Sequence, residues 1–233
     1  MTNILLTGAS RGIGAATLDV LRAAGANVVG QSTGADGLIA ADLSVAGAGD
    51  ALWATALDRL DGRIDVLINN AGVFEGVALD APDDAWAATW ARGTAINLQG
   101  PADLCRRAVL HFQANGGGRI VNVASRAGHR GDSPAHWHYA AHKAGLLAMT
   151  KTIARAYAVH GILAFAVAPG FVMTGMAEEY LSSRGGDKLL ADIPLGRVAA
   201  PAEIAETIRW LAFDAPPSLT GATLDVNGAS YVR

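Results

Sequence analysis

Short apolar segments alternate with helical stretches along the whole chain, and no other feature constrains the fold as strongly. The apolar segments have the length and composition of buried strands: NILLTG (3–8), NVVGQ (27–31), LIAA (38–41), IDVLINNAG (64–72), RIVNVAS (119–125), LAFAVAPG (163–170) and ATLDVNG (222–228). Helical stretches are expected at 12–24, 48–60, 83–92, 95–115, 139–160 and 202–212. This alternation is typical of strand–helix–strand crossovers. It therefore predicts an α/β fold with a single Rossmann-like, doubly wound parallel sheet of about seven strands and helices on both faces.

No linker, repeat or low-complexity stretch divides the 233 residues, so we expect one domain over residues 1–233. One connection is unusually short, because only six residues separate Gln31 from Leu38. A parallel crossover usually takes a dozen or more residues. Either a bare extended loop leads to the third strand, or the predicted strand ends are wrong by a few residues.

Composition excludes several classes of protein. The net charge is −3 without any basic block, which argues against a nucleic-acid partner. Cys105 is the single cysteine, so intramolecular disulfides are impossible and a reducing cytoplasm is the expected location. The start of the chain does not have the features of a signal peptide. The uncharged stretch 158–177 is interrupted by glycine and proline, so we expect a buried strand and a loop there, and no membrane partner.

The stretch HYAAHKAG (138–145) places Tyr139 and Lys143 one helical turn apart, on the same face of a helix. A phenol has a reference pKa of about 10, and bringing it near 7 takes about 4 kcal/mol. A cation about 4 Å away supplies on the order of 4 kcal/mol at an effective dielectric near 20. One ammonium is therefore enough to activate the phenol. Taken alone, however, the pair is better explained as exposed residues of an amphipathic helix.

The stretch TGASRGIG (7–14) follows the first predicted strand and opens the first predicted helix. Gly8, Gly12 and Gly14 allow a tight turn and the close approach of a pyrophosphate to the helix N-terminus. An acidic residue that would bind the ribose 2′-hydroxyl of NAD(H) is missing at the end of the second strand, where Ser32 and Thr33 stand. With Arg11 nearby, these residues favour NADP(H), while NAD(H) stays possible.

Several motifs in this order resemble the short-chain dehydrogenase/reductase family over essentially the whole chain. They are TGASRGIG (7–14), NNAG (69–72), IN (96–97), VAS (123–125), YAAHK (139–143) and APG (168–170). The resemblance implies that Tyr139 is the general acid or base, that Lys143 lowers its pKa and holds the nicotinamide ribose, and that Ser125 binds the carbonyl oxygen. It also implies that Asn97 orients a water behind Lys143.

The glycine loop, the end of the second strand and the resemblance together predict the cofactor contacts. These are Gly8, Ser10, Arg11, Gly12, Ile13, Gly14, Ser32, Thr33, Asp42, Leu43, Asn70, Ala71, Gly72, Tyr139, Lys143, Pro169, Gly170, Val172 and Thr174. Asp42 would meet the adenine edge, Asn70 to Gly72 would line the adenosine ribose, and the residues from Pro169 onward would hold the nicotinamide carboxamide. Asp42 is the weakest of these, because the segment before it is short.

Within the family, the C-terminal stretches IPLGRVAAPAEIA (193–205) and LTGATLDVNG (219–228) are most similar to 3-oxoacyl-(acyl carrier protein) reductases. Gly116 and His160 stand where those reductases tend to present arginines. Because the carrier is strongly acidic, we expect a small free carbonyl compound rather than a carrier-bound substrate.

The segment RAGHRGDSPAHWH (126–138) is rich in histidine and immediately precedes Tyr139. It is either a polar-aromatic wall of the substrate pocket or a histidine-rich surface loop. His136 and His138 would point the same way on an extended strand, but no carboxylate or cysteine completes a usual metal site, so no metal is predicted.

The function predicted is the NADPH-dependent reduction of a carbonyl compound to an alcohol. The alternative is an NAD-dependent dehydrogenase of a small sugar, polyol or secondary alcohol. A nucleotide-sugar epimerase or dehydratase usually has a longer C-terminal region, and a non-catalytic dinucleotide-binding module does not require the intact set of Ser, Tyr, Lys and Asn. The resemblance also implies a homotetramer, or a homodimer, paired through the helix that carries Ala141, Ala144, Leu147 and Ala148.

Overall fold

The structure, a computed structural model, describes residues 1–34, 37–173 and 190–233. The strands in this part of the chain are β1 (Asn3–Leu6), β2 (Asn27–Ser32), β3 (Ile39–Ala40), β4 (Val66–Asn69), β5 (Gly118–Val123), β6 (Ile162–Pro169) and β7 (Thr223–Val226). The α-helices are α1 (Gly12–Ala23), α2 (Ala48–Arg59), α3 (Asp83–Thr94), α4 (Gly100–Ala114), α5 (Ala127–Arg130), α6 (Trp137–Tyr157) and α7 (Pro201–Phe213). A π-helical turn (Ala95–Gln99) joins α3 to α4, and two 3₁₀ turns lie at Ala158–His160 and Pro217–Leu219.

The seven strands form one parallel sheet in the order β3-β2-β1-β4-β5-β6-β7. Two hydrophobic clusters cover its two faces, one packed by α2, α4 and α6 and the other by α1 and α7. The predicted fold class is therefore confirmed. Strand order reverses between β1 and β4, and in such sheets ligands bind beyond the carboxyl ends of the strands at this point.

The short connection to the third strand contains no helix among its described residues. β2 ends at Ser32 and β3 begins at Ile39, and the two strands pair in parallel through only two residue pairs. Residues 33, 34, 37 and 38 form bends and turns. Of the two explanations given above, the described part of this connection agrees with the bare loop.

The helices begin and end within about two residues of their predicted positions, apart from two features that periodicity did not predict. The single helix expected over 95–115 starts as a π-helical turn, which places Asn97 in a widened segment of the helix. The short helix α5 follows β5 directly. Both features lie at the carboxyl edge of the sheet, where the predicted site residues converge.

A buried hydrogen-bonded chain connects the centre of the sheet to α6. Asn69 Nδ2 donates to Asn122 Oδ1 at 2.8 Å, and Asn122 Nδ2 donates to Thr150 Oγ1 at 2.8 Å. Asn69, Asn122 and Thr150 are all almost fully buried. Removing one partner of a buried hydrogen bond leaves the other without compensation for its lost hydration. This series of buried hydrogen bonds therefore fixes the position of the helix that carries Tyr139 and Lys143.

We predict that Thr150→Val lowers the free energy of unfolding by about 1–3 kcal/mol, because the substitution keeps the shape but leaves Asn122 Nδ2 unpaired. Thr152→Val is the matched control. Thr150 and Thr152 each donate to the carbonyl oxygen four residues before them, but Thr152 is exposed. Its replacement should change stability by less than about 0.5 kcal/mol. Urea denaturation of both variants measures the difference, and equal effects would contradict this role for Asn122 and Thr150.

Candidate active site

The glycine loop between β1 and α1 is tightly closed on itself. Gly8 has a φ of +66°, and a Cβ atom added at Gly14 would lie 1.9 Å from the Gly8 carbonyl oxygen. α1 begins at Gly12, and no side chain caps its N-terminus. The first N–H groups of a helix have no partner within the helix and carry its positive end. This turn therefore presents backbone donors to an anion.

Thr7 and Asn70 hold the glycine loop against the end of β4. The Thr7 hydroxyl oxygen accepts from the backbone N–H groups of Asn70 and Ala71, both at 3.0 Å. The Asn70 amide donates to the carbonyl oxygens of Thr7 at 3.0 Å and Gly8 at 3.1 Å. On the other side, Gln31 Oε1 accepts from the Gly8 N–H at 2.9 Å. The ends of β1, β2 and β4 thus form one rigid cradle. Thr7 and Gln31 were not predicted as site residues, although both lie in segments that the sequence singles out.

The residues predicted at the adenosine end lie around this cradle. Ser10, Arg11 and Thr33 are exposed, whereas Ser32 is buried at the end of β2. Within the described ranges, no carboxylate lies within 4 Å of the Arg11 guanidinium. An exposed cation next to the helix N-terminus suits a phosphate group.

Asp42 and Leu43 differ from each other in the kind of surface they offer. The Asp42 carboxylate is exposed and accepts from the Ser44 N–H at 2.9 Å and the Ser44 hydroxyl at 2.7 Å. The Ser44 hydroxyl is the main cause that lowers the Asp42 pKa, followed by the Ser44 N–H. Leu43 is buried and packs against Gly100. One oxygen of Asp42 is therefore engaged within its own turn.

These observations fit a dinucleotide. The cradle provides uncapped helix N–H groups, Gly8 and Gly14 remove the side chains that would fill it, and a Cβ at Gly8 would come within 2.8 Å of Ala71 Cα. Ile13 is half-buried beside the loop, and Gly72 is exposed. The same surface continues from Gly72 to the Tyr and Lys of α6.

Tyr139 lies in the first turn of α6 and meets Ser125 at the end of β5. Burial is the main cause that raises the pKa of Tyr139, and the nearby Ser125 hydroxyl lowers this pKa. Ser125 Oγ also accepts from the Ala127 N–H at 3.1 Å, which ties it to the start of α5. Two hydroxyl groups from different elements thus meet at one place.

Lys143 is 4% exposed, and its ammonium donates to the Val123 carbonyl oxygen at 2.8 Å. Its Nζ lies 5.7 Å from the centroid of the Tyr139 ring. A Cβ added at Gly72 would lie 3.6 Å from this Nζ and 3.1 Å from Asn97 Oδ1. Gly72 therefore leaves open the space in front of both polar groups.

The pKa values of the Tyr and Lys differ from the expectation that Lys143 lowers the pKa of Tyr139. Burial raises the pKa of Tyr139 to about 12, and burial lowers the pKa of Lys143 to about 8. The expectation assumed an ammonium about 4 Å from the phenol, but in the structure this ammonium is directed to Val123. Tyr139 is therefore protonated at neutral pH, which is the state that a general acid requires.

The Asn97 side chain contacts the loop after β4. Its Nδ2 donates to the Val73 carbonyl oxygen and its Oδ1 accepts from the Val73 N–H, both at 2.9 Å. Asn97 holds this loop, including Gly72, in place beside Lys143.

The segment after β6 approaches the site from the far side. The Gly170 N–H donates to the Val226 carbonyl oxygen at 3.1 Å, and a Cβ at Gly170 would lie 2.9 Å from the Cβ of Asn227. Val172 pairs with Ala199 in an isolated parallel bridge. Pro169 ends the strand, so these residues are fixed at the edge of the sheet. The predicted contact Thr174 lies outside the described residues.

The histidine-rich segment contributes an aromatic wall that the sequence located only in part. The rings of Phe74 and His136 stack at 3.8 Å between centroids, and Phe74 meets the Tyr139 ring edge-on at 4.8 Å. Phe74 was not predicted as a site residue; an aromatic side chain two residues after NNAG is the signal that could have found it. Trp137 is exposed and packs on Trp86 instead.

His136 and His138 do not lie on an extended strand. His136 precedes α6 and His138 lies within it, so the two rings do not share one face of a strand. His138 and His142 are buried beside Trp90. Burial is the main cause that lowers the pKa of His142, to about 4. Across residues 1–34, 37–173 and 190–233, the structure shows no group of three or more His, Cys, Asp or Glu that could hold a metal.

Similarity to known proteins agrees with this geometry. The family described as "Enoyl-(Acyl carrier protein) reductase" matches residues 8–229. The chain is 39% identical to a 3-oxoacyl-[acyl-carrier-protein] reductase of Synechocystis sp., with 96% of this chain and 94% of that protein covered. Enzymes with the same name from Vibrio harveyi and Escherichia coli are 36% and 34% identical, with 98% of this chain and 96% of each protein covered.

The fold and the site define an oxidoreductase that uses a nicotinamide dinucleotide and acts on carbonyl or hydroxyl groups. The chain belongs to the short-chain dehydrogenase/reductase family, as its motifs indicated. Among the residues described, no helix has both the length and the apolar character needed to cross a membrane.

The raised pKa of Tyr139 predicts a particular pH dependence for alcohol oxidation. Acting as a base requires the phenolate, whose fraction rises about tenfold per pH unit below the pKa. We therefore expect kcat/KM for oxidation to keep rising between about pH 7 and about pH 10. Steady-state kinetics at saturating cofactor measure this profile. A plateau reached near neutral pH would mean that Lys143 lowers the phenol pKa after all.

Proposed function

We propose that the protein reduces a small carbonyl compound to an alcohol with NADPH. The observation that carries this proposal is the meeting of the Ser125 and Tyr139 hydroxyl groups beside the buried Lys143 ammonium, in front of the open space at Gly72. Two O–H donors that converge on one position are the arrangement needed to bind a carbonyl oxygen as negative charge develops on it.

Each catalytic residue then has a definite task. Bound NADPH would supply a hydride to the carbonyl carbon. Ser125 donates a hydrogen bond to the carbonyl oxygen and orients it, while Tyr139 gives its proton to that oxygen. Lys143, whose ammonium donates to the Val123 carbonyl oxygen, would also contact the nicotinamide ribose. Asn97 is a positioning residue, because its amide holds the Val73 loop and not the reacting groups.

The preference for NADPH follows from the charges around the cradle. Arg11 is exposed at the start of α1, and Ser32 and Thr33 end β2 without a carboxylate. A 2′-phosphate gains from the guanidinium and would be repelled by an acidic residue at this place. Asp36, the nearest acidic residue in the sequence after β2, lies outside the described residues.

The proposed substrate is a small free carbonyl compound, although the relatives named above are 3-oxoacyl-[acyl-carrier-protein] reductases. The Phe74 and His136 wall lies directly against Tyr139 and narrows the approach to it. Gly116 and His160 are both exposed and leave their turns without the cations that would attract an acidic carrier. Short ketones, oxo acids and acyl thioesters are therefore the compounds to test first.

A cofactor experiment tests this function. We expect the wild-type enzyme to oxidise NADPH with at least one small ketone, oxo acid or thioester, and to use NADH less well. Arg11→Ala should raise KM for NADPH roughly tenfold, since a charged hydrogen bond is worth about 1.5–3 kcal/mol, and should leave KM for NADH nearly unchanged. Ser32→Asp should shift preference toward NADH by repelling the 2′-phosphate.

Arg22→Ala is the control, because Arg22 is exposed at the opposite end of the same helix. Its replacement should change neither KM. Thr33→Asp adds the same charge at an exposed position, in case Asp at the buried position 32 impairs folding. A wild-type preference for NADH would contradict the assignment of Arg11, Ser32 and Thr33, and would favour the NAD-dependent alcohol dehydrogenase instead.

We also propose that the chain assembles as a homotetramer through α4 and α6. Ala141, Ala144 and Ala148 form an exposed stripe of small residues on α6, whereas Leu147 is buried in the core. An apolar groove runs between the two helices and is lined by Val109, Leu110, Met149, Ile153 and Tyr157. Small residues let two helices approach closely, and the groove offers apolar surface for a second copy to bury.

We predict a tetramer by light scattering at micromolar concentration. Ala144→Arg should dissociate the assembly, because a charged side chain would be placed between the paired helices. Ala54→Arg is the control, since Ala54 is exposed on α2, away from this surface. A monomeric wild-type protein would contradict the proposal.

A further inference from the structure

We propose that Arg126 forms a carboxylate-binding subsite next to the reacting carbonyl, so that the substrate is an oxo acid. This inference rests on the proposed function, because it requires the substrate carbonyl to lie at Ser125 and Tyr139. It adds what the catalytic residues do not specify, namely the charged group by which the substrate is recognised.

Arg126 is part of the wall of the site. It follows Ser125 directly, and its N–H donates to the Pro169 carbonyl oxygen at 3.0 Å. Its guanidinium lies 4.6 Å from the centroid of the Phe171 ring, on the segment that follows β6. The backbone of Arg126 thus bridges the two strand ends that deliver Ser125 and the 169–172 segment.

The guanidinium is buried but poorly supplied with acceptors. Arg126 is only 7% exposed, and an arginine carries five N–H donors. One of them reaches Asp192 Oδ2 at 3.5 Å, the outer limit of a hydrogen bond. Among residues 1–34, 37–173 and 190–233, no other group accepts from it. The donors that Asp192 does not engage are not sealed from solvent, so a ligand that supplies acceptors can reach them.

Asp192 serves another arginine better than it serves Arg126. Its Oδ2 lies 2.9 Å from Arg130 Nη1, and Arg130 also donates to the Ser230 carbonyl oxygen at 3.1 Å. Two guanidinium groups therefore share one exposed carboxylate. Burial is the main cause that lowers the pKa of Arg126, and the charge of Arg130 lowers it further.

Asp132 is another acidic residue whose charge acts on this region. Its exposed carboxylate is among the minor causes that raise the pKa of both Arg126 and Tyr139. Asp132 accepts a hydrogen bond from the Ser133 N–H and lies in solvent, where its repulsion of an anion is screened. A planar carboxylate matches the guanidinium fork and can accept two parallel hydrogen bonds from it.

A purely structural role is the competing explanation. In that case, the contact only holds Asp192 against Arg126, at the residues that follow β5. The two explanations predict different effects of substitutions on the preference for acid substrates. For a structural contact, loss of either partner harms all substrates equally. For a carboxylate subsite, loss of Arg126 harms acids selectively, whereas loss of the Asp192 charge frees the guanidinium and favours acids.

The experiment compares a short series of oxo acids with their methyl esters by kcat/KM at fixed NADPH. We expect the wild-type enzyme to prefer the acid at the best chain length. Arg126→Gln should lower the acid-to-ester ratio roughly 10- to 100-fold, mainly through KM for the acid, as loss of a charged hydrogen bond implies. Asp192→Asn should raise the ratio. Arg209→Gln is the control, because Glu206 and Asp214 already pair with Arg209 away from the site.

Equal losses for acid and ester in Arg126→Gln, or a ratio that Asp192→Asn does not raise, would overturn the subsite. If Arg126→Gln does not fold, the Asp192→Asn result still decides. Calorimetric titration with the hydroxy acid and its ester is a readout without turnover, and only wild-type binding of the acid that weakens in Arg126→Gln supports the subsite. If neither acids nor esters are reduced, the proposed function fails, and this binding result still decides the subsite on its own.

Discussion

The buried ammonium of Lys143 and the Val123 carbonyl oxygen form the contact on which the site depends. A charge that is 4% exposed needs a partner, and the end of β5 supplies one at 2.8 Å. Lys143 is one turn after Tyr139 on α6. The contact that fixes Lys143 therefore also fixes the Tyr139 phenol beside Ser125. The cost of burial appears in the lowered pKa of Lys143, about 8. The buried contact of Asn122 with Thr150 then holds the same helix further along.

The other parts of the site lie where the sheet brings strand ends together. β1, β4, β5 and β6 are neighbours, so the glycine loop, the NNAG segment, Ser125 and Pro169 all emerge at one edge. Thr7 and Asn70 join the glycine loop after β1 to the end of β4. Asn97 holds Val73 in the loop that follows β4. The residues proposed to bind the cofactor and those proposed to transfer the proton thus belong to separate hydrogen-bonded units that share the loop from Asn70 to Gly72.

Sequence patterns predicted the fold and located the segments that carry the candidate site, because these patterns are local. Strand–helix alternation and ordered motifs are legible in consecutive residues, and each motif lies at a strand end or helix start. What failed depends on side-chain partners across the fold. The spacing of Tyr139 and Lys143 could not reveal that Val123 takes the ammonium, so the phenol pKa was expected to move in the wrong direction. The π-helical turn around Asn97 and the stack of Phe74 on His136 were missed because neither alters the apolar pattern.

The central claim is that Tyr139 supplies the proton, while the binding of the cofactor depends mainly on other residues. The most direct measurement pairs single-turnover reduction with fluorescence titration of NADPH for Tyr139→Phe. Turnover should fall at least about 100-fold, the usual share of a positioned acid, while the Kd for NADPH stays within about threefold. Tyr157→Phe, at the other end of the same helix, should retain both. If Tyr139→Phe kept more than about a tenth of the wild-type rate, another group would have to be the acid, and the account would be wrong.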